Sequence, residues 1–465
     1  MKPRPWVPPL ALAGAVAVAY LNALRGAFQF DDYNVIVDNP VVHSWTAFLS
    51  DLPRGIRSLL KFTYTLNWTS GLGPFGFHLV NVSLHTANAV LVYLLARRMA
   101  AGRRGEAEGR LLAAAPFLAA LLFAVHPVQT EAVTYISGRS MSLMAFFYLG
   151  SLLAYAHGAA TGRRAWTCVA SPVLFLLAVL AKETAITLPF ALLLWEAGGR
   201  AGRLSWREAA RHQAVHWTLL LLFLAAVALH PGYKGLLLFG LESRTVHDNL
   251  LSQIHGIAYL LSRLAWVHRL CIDPDLPVLS SWSPSLAAEA ALLLSLVVLG
   301  AAALRKSPRL GFGLLWFFLH LVPTNSVIPR LDVANERHLY LASWGIFLVL
   351  GAGVESAQAA WRKGAGWVRA GAFAVAAVLL CFTVIRNGAY RSEVALWEDT
   401  ARRSPGKARV HNNLGYAYSL AGRPDKAIRS YREALRLDPD FALATGNFTL
   451  AVMDVAENVA GRPRR

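Results

Sequence analysis

Apolar runs of roughly membrane-spanning length recur along the first 386 positions, and they constrain the fold more than any other feature of the chain. A helix of about 20 such residues crosses the hydrocarbon core of a bilayer, which is about 30 Å thick. The pattern predicts an all-α protein, a polytopic bundle of about eleven membrane spans. The runs lie near 7–24, 78–97, 111–126, 140–157, 165–181, 183–196, 214–231, 284–304, 310–323, 338–356 and 367–386.

The charge of the chain fits this interpretation better than it fits a nucleic-acid partner. Only 15% of the residues are charged, against about 25% in typical soluble domains. The net charge of +18 lies largely in short loops between apolar runs, where it sets orientation in the membrane. We therefore expect no nucleic-acid binding. The three cysteines form neither a disulfide framework nor a CxxC metal pattern.

The basic residues of alternate loops predict the orientation. If the N-terminus is cytoplasmic, these loops all face the cytoplasm. The segment near 249–270 is mixed in polarity, and we expect an amphipathic or re-entrant helix on the outer face there. The acidic loops and the C-terminus then lie outside. The basic residues are Arg97, Arg98, Arg103, Arg104, Arg110, Arg163, Arg164, Arg200, Arg203, Arg207, Arg211, Arg305, Lys306, Arg309, Arg362, Lys363 and Arg369.

An acidic pair, Asp31 and Asp32, directly follows the first apolar run. Adjacent carboxylates at a membrane surface can activate a hydroxyl nucleophile or hold a divalent cation, and mutual repulsion raises the proton affinity of one of them. The alternative is that the pair only marks the aqueous end of a helix. We take Asp31 and Asp32 as the candidate catalytic residues, with the role of each left open.

The second outer loop carries three further candidates, His126, Glu131 and Arg139. They lie at a membrane boundary, because the proline after His126 ends the preceding helix there. Their residue types can bind a substrate or a phosphate. We expect them to lie near the acidic pair.

Two more charged motifs border apolar runs. Lys182 and Glu183 separate two runs directly, where a charge near the bilayer centre costs about 2.5–3.5 kcal/mol. Lys182 either meets an anionic lipid headgroup or is neutralised by Glu183. Glu336 and Arg337 open a later span, and Arg337 either grips a phosphate bidentately or extends toward the interface.

A 34-residue tetratricopeptide pattern occupies 408–441. Trp397 and Pro405 fit the second helix of a preceding repeat, and residues 442–459 fit a capping helix. One repeat cannot bury its own faces, so we expect it to lean on the membrane domain or on another chain. It either docks a polypeptide or caps the outer face. The matching residues are Leu414, Gly415, Tyr418, Ala427, Tyr431, Ala434 and Pro439.

These features predict two domains. Residues 1–388 form the transmembrane domain, with the catalytic outer loop at about 25–77, and residues 389–460 form the tetratricopeptide-like module.

The order of these motifs resembles the transmembrane-and-TPR O-mannosyltransferases, relatives of the protein O-mannosyltransferases within the GT-C glycosyltransferases. The resemblance covers nearly the whole chain, although eukaryotic members carry long repeat arrays and this chain has little more than one repeat. It rests on Asp31-Asp32, Asp38-Asn39-Pro40, 76–85, 124–133, Ala181-Lys182-Glu183, 336–340 and the trailing repeat.

The resemblance implies an inverting membrane transferase that takes a sugar, typically mannose, from a polyprenyl phosphate. The acceptor is a hydroxyl on the outer face, and an acidic residue of the first outer loop, here Asp31 or Asp32, is the catalytic candidate. Arg139, Lys182 and Arg337 would surround the phosphate. No cofactor is implied beyond an optional divalent cation, and the expected partners are the lipid donor, membrane lipid and a protein or glycan acceptor.

Other interpretations remain open at this point. The same chemistry could act on a cell-envelope glycan or lipid, or the chain could be a non-catalytic membrane scaffold that presents its repeat to a protein partner. The small-residue-rich spans and Arg-rich loops favour a bacterial inner membrane, with the active site and the repeat facing the periplasm.

Overall fold

The computed structural model describes residues 5–53, 55–100, 115–199 and 206–459. Within these ranges the chain is helical and contains no β-strand. Several predicted features lie outside them, namely Arg103, Arg104, Arg110, Arg200, Arg203, residues 111–114 of the third apolar run, and the two ends of the chain.

The first half of the chain forms ten helices in the described ranges. They are α1 Val7–Tyr20, α2 Trp45–Asp51, α3 Ser58–Thr69, α4 Gly73–Ala100, α5 Ala115–Val125, α6 Thr130–Val133, α7 Arg139–Thr161, α8 Ser171–Ala181, α9 Leu188–Gly199 and α10 Trp206–Leu229.

The second half also forms ten helices in the described ranges. They are α11 Pro231–Ser243, α12 Val246–Arg263, α13 Pro284–Lys306, α14 Pro308–Leu321, α15 Leu339–Ala360, α16 Ala365–Asn387, α17 Glu393–Arg403, α18 Ala408–Leu420, α19 Pro424–Leu437 and α20 Ala442–Val459.

Seven helical stretches of the described chain are long and apolar enough to cross a membrane, so the protein is a polytopic helical bundle. An eighth is present if Ala115–Val125 and Pro127–Val133, which meet at an angle of 52°, count as one broken span. The seven are Val7–Arg25, Gly73–Ala100, Ile136–Thr161, Arg207–Leu229, Pro284–Lys306, Glu336–Ala360 and Arg362–Tyr390.

The predicted runs are all helical where described, but three of the eleven form shorter helices. These are Trp166–Ala181, Leu188–Gly199 with 12 residues and Pro308–Leu321 with 14 residues. At 1.5 Å per residue a 12-residue helix is about 18 Å long, short of the ~30 Å core. The break between the first two occurs at Lys182, whose extended backbone ends α8. The described residues therefore contain seven or eight full-length spans where about eleven were predicted.

The segment near 249–270 is not among the candidate spans of the described chain, as expected. Its helix α12 buries one polar face against the loop that follows α14. The amide of Asn249 donates to the carbonyl of Ser326 at 2.7 Å, and Gln253 donates to that of Val333 at 3.0 Å. These contacts fasten α12 to the loop that leads into Arg337.

Helices α14 and α15 cross where two glycines face each other. A Cβ added to Gly345 would lie 2.2 Å from the carbonyl oxygen of Gly313. Beside this crossing the Trp316 and Trp344 rings meet edge to face at 4.5 Å. Small residues let membrane helices approach closely, which here fixes the position of the start of α15.

The C-terminal helices have their own core, built on Trp397, Leu414, Tyr418 and Tyr431. Gly415 is required by the close approach of α18 and α19, because a Cβ there would lie 2.5 Å from the Tyr431 ring. Helix α20 packs on both helices of the repeat as a cap.

The repeat leans on the membrane domain through charged residues. Asp273, buried in the loop between α12 and α13, contacts Lys407 at 2.5 Å and Arg409 at 2.6 Å. Arg409 also contacts Asp332 at 2.6 Å, and Arg386 at the end of α16 pairs with Asp399 of α17. The module therefore packs on the same end of the bundle as the first loop.

Candidate functional site

The two aspartates of the first loop occupy different environments. Asp32 is 1% exposed. Its carboxylate accepts hydrogen bonds from the backbone N–H of Gln29 at 2.9 Å, and from the backbone N–H of Ser137 at 2.8 Å and the Ser137 hydroxyl. Burial raises the pKa of Asp32 from 3.8 to about 7, against these hydrogen bonds, which lower it. Asp32 therefore ties the first loop to the start of the third span.

Asp31 instead faces a cavity of about 190 Å³ between the membrane domain and the C-terminal module. Its side chain is 37% exposed, and its backbone N–H donates to the hydroxyl of Tyr135 at 2.8 Å. The cavity is lined by Phe30, Asp31, Glu131, Tyr135, Ile272, Asp273, Leu331, Asp332, Asn335, Arg337 and Arg409.

Arg337 stands between two carboxylates in this cavity. Its Nη1 lies 3.9 Å from Oδ2 of Asp31, and its Nε lies 3.8 Å from Oε1 of Glu131. Glu131 is 3% exposed, and neither of its carboxylate oxygens has a hydrogen-bond partner among the described residues. Three residues predicted from separate parts of the sequence are thus brought together.

Lys182 lies beside this group in a cluster of cations. Its ammonium donates to the Ser140 hydroxyl at 3.3 Å. Burial, together with the neighbouring charges of Arg57 and Arg337, lowers the pKa of Lys182 well below its ordinary value, and Arg330 adds to this.

Glu183 is not the partner of Lys182. Its carboxylate accepts from Nε of Arg57 at 2.9 Å and from the second nitrogen of that guanidinium. Burial alone would raise the pKa of Glu183, but Arg57, with a smaller contribution from Lys182, lowers it to about 2. Glu183 thus makes its hydrogen bonds to Arg57, and its charge only partly offsets the cations around Lys182.

Arg139 does not reach the cavity. It is fully buried, and its guanidinium donates to Asn81 at 2.7 Å, to the carbonyl of Phe77 at 2.9 Å and to that of Thr63 at 3.2 Å. Each of its three nitrogens donates to α3 or α4, and these bonds join α3, α4 and α7. The structure places Arg139 in the scaffold of the site.

His126 and Glu336 are likewise placed behind the cavity wall. His126 Nδ1 accepts from the N–H of Val128 at 3.1 Å, and its Nε2 contacts the carbonyl of Leu264 at 3.0 Å. Glu336 accepts from the hydroxyl of Tyr259 at 2.7 Å and from the N–H of Cys271 at 2.9 Å. Both residues fasten α12 and the loop after it to the bundle.

Several residues of the site were not singled out from the sequence. Asp332 lies in the loop before α15. Burial alone would raise its pKa, but Arg409 and Lys407 hold that pKa below its ordinary range. Arg409 gave no signal because it is not one of the residues that match the repeat pattern, and Arg57 lies in a loop without periodicity. The overlooked residues are Arg57, Tyr135, Asp273, Arg330, Asp332 and Arg409.

In the described ranges no group of three or more His, Cys, Asp or Glu side chains is arranged to hold a metal ion. At the cavity itself, the carboxyl groups of four acidic residues face the guanidinium groups of Arg337 and Arg409.

Comparisons with known proteins agree with the order of motifs. A family model described as tetratricopeptide repeat matches residues 408–441. The human protein O-mannosyl-transferase TMTC4 is 30% identical over 90% of this chain and 65% of its own length. The human protein O-mannosyl-transferase TMTC1 is 27% identical over 96% of this chain and 57% of its own length. A protein O-mannosyl-transferase of Caenorhabditis elegans is 25% identical over 93% and 63% respectively.

The chain thus spans a little over half to about two thirds of the length of these relatives. The chain is therefore similar to protein O-mannosyl-transferases over at least nine tenths of its own length, and it carries one matched tetratricopeptide repeat.

Proposed function

We propose that the chain is a GT-C glycosyltransferase that moves mannose from a polyprenyl-phosphate donor to a hydroxyl group on a protein. One observation carries the proposal: the half-exposed carboxylate of Asp31 lies 3.9 Å from Arg337 in a cavity at the end of a membrane bundle. A base beside a fixed cation is what this transfer needs. The names of the relatives indicate the sugar and the class of acceptor.

In the proposed step, Asp31 removes the proton from the acceptor hydroxyl. The acceptor oxygen attacks the anomeric carbon of the sugar, and the bond from that carbon to the phosphate oxygen breaks with its electron pair leaving on the phosphate. Attack opposite the leaving group inverts the anomeric configuration. Of the two aspartates we assign Asp31 as the base, because Asp32 is buried and does not line the cavity.

The phosphate receives its negative charge beside the cationic cluster. Arg337 lines the cavity, and the charges of Arg57, Arg330 and Lys182 lie close enough to influence one another. Glu183 neutralises Arg57 through two hydrogen bonds. Fixed cations in a site shielded from water stabilise a leaving anion without reorganisation, so Arg337 and Arg330 are the fixed charges of the proposed donor-phosphate site. Lys182, whose pKa is lowered by burial and by these cations, would gain its proton as the phosphate binds beside it.

The remaining predicted residues are proposed to hold the site in shape. Asp32 fixes the loop that carries Asp31. Arg139, His126 and Glu336 fix the walls through hydrogen bonds to backbone and side-chain groups.

We also propose the domain limits and the location. Residues 1–388 form the transferase domain and 389–460 the tetratricopeptide module. The cavity and the module face the periplasmic side of a bacterial inner membrane. The alternating basic loops support this orientation, and it requires the three shorter helices to cross the membrane as well.

The proposal is tested by incubating purified protein with radiolabelled mannosyl polyprenyl phosphate and a Ser/Thr-containing peptide. We expect label on the peptide, and a loss of about 10²–10⁴-fold in Asp31→Asn, the range typical of a general base. Asp38→Asn is the matched control, because Asp38 is an exposed acid of the same loop and should leave transfer unchanged.

Three outcomes would count against the proposal in different ways. Equal transfer by wild type and Asp31→Asn would remove the catalytic assignment. Label on a cell-envelope glycan or lipid, but not on the peptide, would show that the acceptor is not a protein. No transfer by any variant, with a protein partner captured through the repeat, would favour the scaffold interpretation.

A further inference from the structure

The loop that carries Asp31 is held by the segment that joins the last membrane helix to the repeat, through two hydrogen bonds and one contact between aromatic rings. The backbone N–H of Phe30 donates to Oε2 of Glu393 at 2.9 Å. The side-chain amide of Gln29 donates to the carbonyl of Tyr390, and the Phe30 ring meets the Trp397 ring edge to face at 5.0 Å. All three contacts join residues more than 360 positions apart.

Glu393 is the centre of this contact. Its second carboxylate oxygen accepts from the indole N–H of Trp397 at 2.8 Å, so one oxygen holds the loop and the other is held by its own helix, α17. A hydrogen bond to a carboxylate is shorter and stronger than one between neutral groups. Glu393 does not line the cavity, so it acts on the site through Phe30.

The backbone conformation of Phe30 has to be stabilised by its surroundings. Its φ of 48° lies in the left-handed region, which a bulky side chain rarely adopts and which persists only where the surroundings impose it. Asp31 is the next residue, and its own N–H is fixed by Tyr135 on the opposite side. If the Phe30 amide were released, its backbone would relax and the Asp31 carboxylate would turn away from Arg337.

We infer that Glu393 is a positioning residue for the base: its carboxylate holds the Phe30 amide so that Asp31 faces the cavity. The inference rests on the proposed function, which makes Asp31 the base. It gives the C-terminal segment a part in the rate of transfer that is separate from binding a partner.

The test compares Glu393→Ala and Glu393→Gln with Glu398→Ala. Glu398 is a matched control, because it lies on the same helix, is equally half-buried, and accepts from Tyr418 within the module at 2.7 Å. The kcat for mannosyl transfer, the KM for the donor and the amide hydrogen exchange of residues 27–33 are measured for each protein.

We expect Glu393→Ala to lower kcat by about 10- to 100-fold, the loss typical of a base displaced by about 1 Å, with donor KM unchanged. The kcat of Glu393→Gln should lie between those of wild type and Glu393→Ala, because the glutamine amide has one acceptor oxygen for the two donors, the Phe30 N–H and the Trp397 indole N–H. Exchange at 27–33 should be faster in Glu393→Ala and unchanged in Glu398→Ala.

The split between kcat and KM separates positioning from general damage. A displaced base slows the chemical step and leaves donor binding intact, so kcat falls while the donor KM stays at the wild-type value. General damage to the site would also raise the donor KM.

The outcomes distinguish the two proposals. A wild-type kcat and unchanged amide hydrogen exchange in Glu393→Ala would overturn the positioning role. In that case a loss of mannosyl transfer in Asp31→Asn would still uphold the proposed function. Full activity of Asp31→Asn would overturn the proposed function instead. If the Glu393→Ala protein does not fold, Glu393→Gln decides: wild-type kcat together with wild-type exchange at residues 27–33 in that variant would also overturn the inference.

Discussion

At the scale of single residues, the neighbouring carboxyl groups of Asp31 and Asp32 lie in different environments, one partly exposed and the other buried. Asp31 is 37% exposed and faces Arg337, whereas Asp32 is buried and receives three hydrogen bonds from Gln29 and Ser137. Paired acids in different environments commonly take different roles. The sequence pattern of two adjacent acids cannot divide these roles, because the division depends on Ser137 and Arg337, which are distant in the chain.

Asp32 should make the stability of the protein depend on pH. Its pKa of about 7 in the folded state exceeds its ordinary value of 3.8, so the folded state binds this proton more tightly than the unfolded state does. The stabilising contribution is fully present below about pH 4 and is lost as the pH rises toward 7, up to about 4 kcal/mol. Asp32→Asn should remove this loss.

The measurement is the unfolding temperature in detergent between pH 4.5 and 7.5. Other groups titrate in the same range, so the quantity that matters is the difference between wild type and Asp32→Asn. Wild type should lose more stability than the variant as the pH rises. Parallel curves for the two proteins would contradict the prediction.

Part of the candidate site could be predicted from the sequence. Asp31, Glu131 and Arg337 do meet at one cavity, because each lies just beyond an apolar run and the runs end at the same side of the bundle. Arg139 looked equally promising, yet its guanidinium is used up by acceptors on α3 and α4. Which cation stays available depends on carbonyl groups of remote helices, and the sequence carries no signal for that.

At the scale of elements, the apolar runs predicted the helices well and the full-length spans less well. The runs mark where helices form, but whether one crosses the membrane depends on where it ends. Lys182 shows this, because its extended backbone separates two apolar runs into short helices.

The crossing of α14 and α15 should tolerate no side chain at Gly345. A Cβ there would lie 2.2 Å from the Gly313 carbonyl oxygen, and backbone cannot yield as a side chain does. Gly345→Ala should destabilise the protein by about 1–3 kcal/mol, the usual cost of overpacking. Because α15 continues from the turn that carries Arg337, transfer should fall as well.

Gly353→Ala is the matched control on the same helix, since nothing lies within 4 Å of a Cβ there. It should unfold at the wild-type temperature or slightly above, because alanine favours helix. Thermal unfolding of the three proteins in detergent measures both effects. If Gly345→Ala and Gly353→Ala unfold at the same temperature, the inference that α14 and α15 pack closely at this crossing is wrong.

At the scale of the whole molecule, the first loop and the C-terminal module form one structure. Glu393 holds Phe30, and Arg409 lines the same cavity as Asp31. Both segments must therefore lie on the same side of the membrane, whichever side it is. A single repeat that could not stand alone is supported here by Asp273 and Asp332.

The central claim is that Asp31 acts on the acceptor while Arg337 holds the donor phosphate. It is tested most directly by measuring donor binding and single-turnover transfer separately, with mannosyl polyprenyl phosphate in proteoliposomes. Asp31→Asn should bind the donor at least as tightly as wild type, because a negative charge beside the phosphate is gone, yet transfer about 100-fold or more slowly. Arg337→Ala should bind the donor about 10- to 100-fold more weakly, the loss expected for charged hydrogen bonds. Wild-type single-turnover transfer by Asp31→Asn would contradict the account.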